Sequence, residues 1–75
     1  MKEILVIQEE DTIIGVASTK EKALELILEY FGNDSEIRDI KDVRDSGIEF
    51  TCLIITKDSK WYYDVTVHYF TINEI

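Results

Sequence analysis

His68 is the only histidine in the chain and the first residue to consider for acid–base chemistry. Asp64 precedes it by four residues. On a strand these two share a face but stand about 13 Å apart, whereas proton transfer needs a contact of about 3 Å. The pair could work only if a neighbouring strand supplied a third group, for which Glu49 and Thr51 are the candidates. The plainer reading is a surface or interface histidine paired with a carboxylate.

Asp39, Asp42 and Asp45 suggest calcium. An EF-hand loop needs ligands at alternate positions, a glycine at the sixth and a glutamate at the twelfth, and that pattern is absent. Each aspartate sits beside Arg38, Lys41 or Arg44, so local charge pairing is expected. One cysteine, Cys52, and one histidine fall short of the four ligands of a structural zinc site. A lone cysteine in an apolar run reads as a small buried hydrophobe and suits a reducing cytosol. There is no glycine-rich phosphate loop and no nucleophile elbow. The expectation is a non-enzyme with no catalytic, cofactor-binding or metal residues.

Trp61, Tyr62, Tyr63, Tyr69 and Phe70 resemble the stacking aromatics of RNA-binding sheets. The run lacks the arginines and lysines that hold phosphates. The chain carries 16 acidic against 8 basic residues, a formal net charge of −8. That charge repels nucleic acid, so no direct nucleic-acid binding is expected.

The elements that position these residues follow from hydrophobic periodicity. Glu3 to Gln8 and Thr12 to Ala17 read as strands. The charged tip Glu9-Glu10-Asp11 has no glycine, which predicts a loop of three or four residues rather than two. Gly15 marks a bulge or a close approach of the helix. Ser18-Thr19-Lys20-Glu21 has the form of a capping box with Ser18 as the cap. It opens a helix from Thr19 to about Phe31, with Ala23, Leu24, Ile27, Leu28, Tyr30 and Phe31 on its apolar face. Gly32-Asn33 ends it.

Residues 35–45 repeat a triplet: Ile37-Arg38-Asp39, Ile40-Lys41-Asp42, Val43-Arg44-Asp45. Apolar residues every third position fit a short helical turn better than a flat strand. A bulged edge strand is the alternative, because Asp45-Ser46-Gly47 makes a good turn. The expectation is an irregular or edge element. Ile48 to Lys57 is the next strand, Asp58-Ser59-Lys60 a turn, and Trp61 to Ile72 the last strand.

The fold expected is α+β in the order β-β-α-β-β. It is a single domain over 1–75, an antiparallel sheet of four strands or five with a short edge strand, and one helix on one face. Trp61, Tyr63, Val65, Val67 and Tyr69 should face the helix. The opposite face then keeps Tyr62, Leu53, Ile55, Phe70 and Ile72, with His68 among them. Such a small chain is marginal alone, and it has no disulfide to help it. This face is therefore expected to cover itself, as a homodimer or against another protein.

Glu9, Glu10, Asp11, Asp39, Asp42 and Asp45 form the expected acidic rim. An acidic inhibitor or nucleic-acid mimic docking a basic host or defence protein is the alternative. A small-ligand binder with His68 and Asp64 at the floor of a pocket is a second. Lys2-Glu3 before a four-residue apolar run does not have the form of a signal peptide, and no run approaches a membrane span. With the lone cysteine, this suits a cytoplasmic location.

The segments Ile4-Leu5-Val6-Ile7, Ile14-Gly15-Val16 and Ser18-Thr19-Lys20-Glu21-Lys22-Ala23 resemble small acidic proteins of phages and prophages of Gram-positive bacteria. The closing Trp61-Tyr62-Tyr63, Val67 and Phe70-Thr71-Ile72-Asn73-Glu74 are similar to the ending of those proteins. The resemblance implies a small accessory protein of a bacterial host cytoplasm, without an assigned function. It carries over no functional residue.

Overall fold

The computed structural model describes residues 2–57 and 61–72. They form one helix packed on an antiparallel sheet of five strands. In chain order these are β1 (Lys2–Glu9), β2 (Thr12–Ala17), α1 (Lys20–Phe31), β3 (Glu36–Asp45), β4 (Ile48–Ile55) and β5 (Tyr62–Ile72). The sheet order is β2-β1-β5-β4-β3, so β2 and β3 are the edges. The turn expected over Asp58-Ser59-Lys60 lies outside the described residues.

Strict alternation in β5 sends Val65 and Val67 into the core, with Tyr63 and Tyr69 packed at its margin. Leu5 and Ile7 of β1 and Phe50, Cys52 and Ile54 of β4 complete that face. From the helix, Ala23 and Ile27 are fully buried and Leu24, Leu26 and Phe31 partly so. The Phe31 and Tyr63 rings lie 5.2 Å apart. Tyr30 is exposed rather than core, its ring turned edge-on to Phe31 at the helix end. Trp61 is 77% exposed and not under the helix. It precedes β5, so the alternation that places Tyr63 does not extend to it.

The helix begins one residue later than the capping-box reading. Thr19, not Ser18, is the cap: its hydroxyl accepts from the Lys22 amide at 3.1 Å. Lys22 then stands at the third helical position, so the reciprocal glutamate contact of a capping box has no place. At the far end Gly32 takes φ 107° and its amide donates to the Leu28 carbonyl, closing the helix. Gly15 sits under the helix. A Cβ there would meet Leu26 at 3.3 Å, and the β1–β2 register shifts beside it, at Ile7/Gln8.

Residues 36–45 are a full edge strand, and the triplets have a geometric cause. Arg38 pairs with Leu53 and Lys41 with Thr51, three steps on β3 against two on β4. The same mismatch recurs between Asp42–Phe50 and Asp45–Ile48. Each three-residue repeat spanning a shift inserts one extra residue, a bulge. Asp39 (φ 53°) and Arg44 (φ 41°) lie within these shifts in the left-handed region. A period of three on a doubly bulged strand thus replaces the period of two on a flat one.

Two-residue loops close both described hairpins. Ser46 and Gly47, both at positive φ, join β3 to β4 as the sequence suggests. The β1–β2 loop is shorter than expected. Glu9 pairs with Thr12, leaving Glu10-Asp11 as the whole loop. Glu10 takes the positive φ (51°) that glycine usually supplies, and the Gln8 side-chain amide donates to its carbonyl at 2.6 Å.

Candidate interaction surface

The strand registers fix which residues share the face away from the helix. Reading across from β2 toward β3, one row is Val16, Val6, His68, Ile48 and Asp45. On one side of it lie the pairs Ile4–Phe70 and Lys2–Ile72. On the other side is a row of Ile13, Gln8, Thr66, Thr51 and Lys41. Beyond that come Asp64, Leu53 and Arg38, then Tyr62, Ile55 and Glu36.

All six expected interface residues, Tyr62, Phe70, Leu53, Ile55, Ile72 and His68, therefore lie on this uncovered face. They do not form one patch. The polar row Gln8, Thr66, Thr51 and Lys41 separates a larger apolar field around Phe70 from a smaller one around Leu53, Ile55 and Tyr62. The larger field also holds Ile4, Val6, Val16 and Ile48. Val16 is 55%, Phe70 52% and Tyr62 61% exposed.

His68 does not meet Asp64. Its Nε2 lies 2.8 Å from Oε1 of Gln8, and the ring is half-buried. Thr51 stands in the row between Asp64 and His68. Glu49 is engaged elsewhere, by Arg44. No proton-relay geometry results. The partner Gln8 lies 60 residues away in sequence, and only the β1–β5 pairing reveals it.

The expected acidic rim divides into separate places. Glu9, Glu10 and Asp11 occupy the β1–β2 tip. Asp39 sits in the first bulge of β3. Asp42 turns to the helix side and meets Lys20 at 2.7 Å. Asp45 lies at the far end of β3, beside the Ser46-Gly47 turn.

A second charged cluster was missed because its members are scattered along the chain. Arg44 reaches Glu3 at 2.6 Å, pairs with Glu49, and lies 4.8 Å from the centre of the Tyr69 ring. It ties β3 to β1, β4 and β5. The hydrogen bonds it donates to Glu3 and then Glu49 hold its proton even more firmly than usual. At the other end Arg38 bonds Glu36 at 2.9 Å, which lowers the Glu36 carboxyl pKa.

A hollow of about 280 Å³ opens between Asp39, Lys41, Thr51, Leu53, Asp64 and Thr66. It contains Asp64 but not His68, so the pocket floor expected from that pair does not form. Among the described residues no group of three or more His, Cys, Asp or Glu side chains could hold a metal ion. No helix among them is long and apolar enough to cross a membrane. No known protein family, curated protein or solved structure matches the chain.

Proposed function

We propose that this chain is a small non-enzymatic interaction protein of phage or mobile-element origin that self-associates through the sheet face its helix leaves open. The observation that carries the reading is the exposure of large apolar side chains on that face, Phe70 and Val16 foremost. Isolated exposed hydrophobes are ordinary, but a field set in register across four strands is not.

Size and charge favour a second copy as the cover. Five strands about 4.8 Å apart and up to six rows about 6.8 Å apart give a face on the order of 600–800 Å². A stable interface covers about 800 Å² a side. The face carries Lys2, Arg38 and Lys41 against Glu36, Asp39, Asp45 and Asp64, a net −1 on a chain of net charge −8. Two copies repel each other least through this face. The phage origin rests on the resemblance at the two ends of the chain.

Isotope-filtered NMR on mixed labelled and unlabelled protein tests the arrangement. Contacts between copies should involve Phe70, Val6, Val16 and Leu53. Contacts confined to β3, or none at all, would refute the proposal.

A further inference from the structure

The two sheet edges are built differently. β3 has seven charged residues among its ten and two bulges, both features that discourage pairing with another strand. β2, Thr12–Ala17, has no charged residue and no proline. Among the described residues its backbone pairs only with β1. It is an unprotected edge, and Ile13 and Val16 stand exposed on it.

Beside that edge runs a groove of about 350 Å³. Val16, Ala17 and Ser18 form one wall. Lys22, Glu25, Leu26 and Glu29, a single stripe along the helix, form the other. The close fit of Gly15 under Leu26 brings the helix over β2 and leaves this channel along its outer flank. Lys22 is paired with Glu25 at 3.6 Å. Glu29 has no basic partner among the described residues. The channel thus sets the apolar Val16, Ala17 and Leu26 beside one lysine and two glutamates, a net charge of −1.

We propose that β2 and the flank of α1 form a docking groove for an extended basic–apolar segment of a partner protein, which adds to the sheet as a sixth strand. Edge pairing uses backbone groups for affinity and alternate side chains for specificity. Side chains on one face of the added strand reach the helix, an apolar one against Leu26 and Ala17, a lysine or arginine toward Glu25 and Glu29. Glu25 and Glu29 are four residues apart along the helix, about 6 Å. Alternate residues of a strand are about 6.8 Å apart, so two basic residues match the two carboxylates. Side chains on its other face extend the Val16–Ile13 surface. The groove shares Val16 with the Phe70 field but opens beside the helix, between β2 and Lys22, Glu25, Leu26 and Glu29, so the inference does not depend on self-association through the open face.

The test uses the intact protein and a blocked peptide of about eight residues with lysines at the second and fourth positions, valines at the sixth and eighth and threonines between, so that one face carries both the basic and the apolar side chains. Titration should show saturable binding, with slowed amide hydrogen exchange in 12–17. Replacing Glu25 and Glu29 together by glutamine should weaken binding about five- to tenfold at low salt. N-methylation of alternate peptide amides keeps the charge but removes the pairing, and should abolish binding. Equal binding of the methylated peptide would overturn the proposal, since charge alone would then suffice. So would an absence of binding at millimolar peptide, or protection that appears at β3 or on the Phe70 face. Backbone contacts between the 12–17 strands of two copies, seen by isotope-filtered NMR without peptide, would assign the groove to a second copy and overturn it as well.

Discussion

Replacing Phe70 by aspartate should separate the self-associated protein into folded single chains. Phenylalanine offers on the order of 200 Å² to burial. At 52% exposure about half of that, roughly 100 Å², awaits a partner. At about 25 cal/mol per Å² this is worth about 2.5 kcal/mol. A two-fold contact uses it once from each copy, so the pair loses about 5 kcal/mol, a factor of 10³–10⁴ in the dissociation constant. A desolvated carboxylate only adds to this. The half of Phe70 already covered costs the single chain about 2.5 kcal/mol by the same area, so folding is followed by circular dichroism in the same samples. Tyr30→Asp is the matched control. Tyr30 is 55% exposed but stands on the helix, away from this face. Sedimentation across a dilution series should show a lighter species for Phe70→Asp only. Equal masses for Phe70→Asp, Tyr30→Asp and the unaltered chain would refute the face assignment, and so would unfolding of Phe70→Asp alone.

Thr19→Ala should lower stability by about 1 kcal/mol in urea unfolding, and Ser18→Ala by less than about 0.5 kcal/mol, because Thr19 holds the cap bond. Ile27 is fully buried, so Ile27→Ala should cost about 2–5 kcal/mol, a large part of what a domain this size commands. Burial pushes the Cys52 thiol up to about 11, from an ordinary value of 9.0. The folded chain keeps that proton longer than the unfolded one. The resulting stabilisation is complete below about pH 9 and is lost as pH rises toward 11. Cys52→Ala should flatten the pH dependence in that window. An aromatic disulfide reagent near neutral pH should modify Cys52 only at the rate of chain opening.

The sequence was readable where a single period governs an element. Clean alternation in β5 placed Tyr63, Val65, Val67 and Tyr69 on one face and Tyr62, Phe70 and Ile72 on the other. The apolar stripe of α1 located Ala23 and Ile27. Reading failed where local geometry breaks the period. Two bulges turn β3 into a run of triplets that imitates a helical turn. Glu10 takes a left-handed conformation without being glycine, helped by the Gln8 side chain, and so shortens the first loop. Trp61 has the right parity for the core but lies outside the strand.

The candidate surface was legible one residue at a time but not in its layout. His68–Gln8 and Arg44–Glu3–Glu49–Tyr69 join residues up to 60 apart, brought together only by the strand order β2-β1-β5-β4-β3. The polar row that divides the open face exists only as cross-strand register. The β2–α1 groove depends on how closely Leu26 approaches Gly15, which no periodicity encodes.

The central claim is that two copies cover each other's open sheet face. The most direct test is the solution mass of the unaltered chain by light scattering during dilution into the low micromolar range. A mass twice that of one chain, falling to one on dilution, is the predicted result. A single-chain mass at every concentration, including several hundred micromolar, would contradict the account.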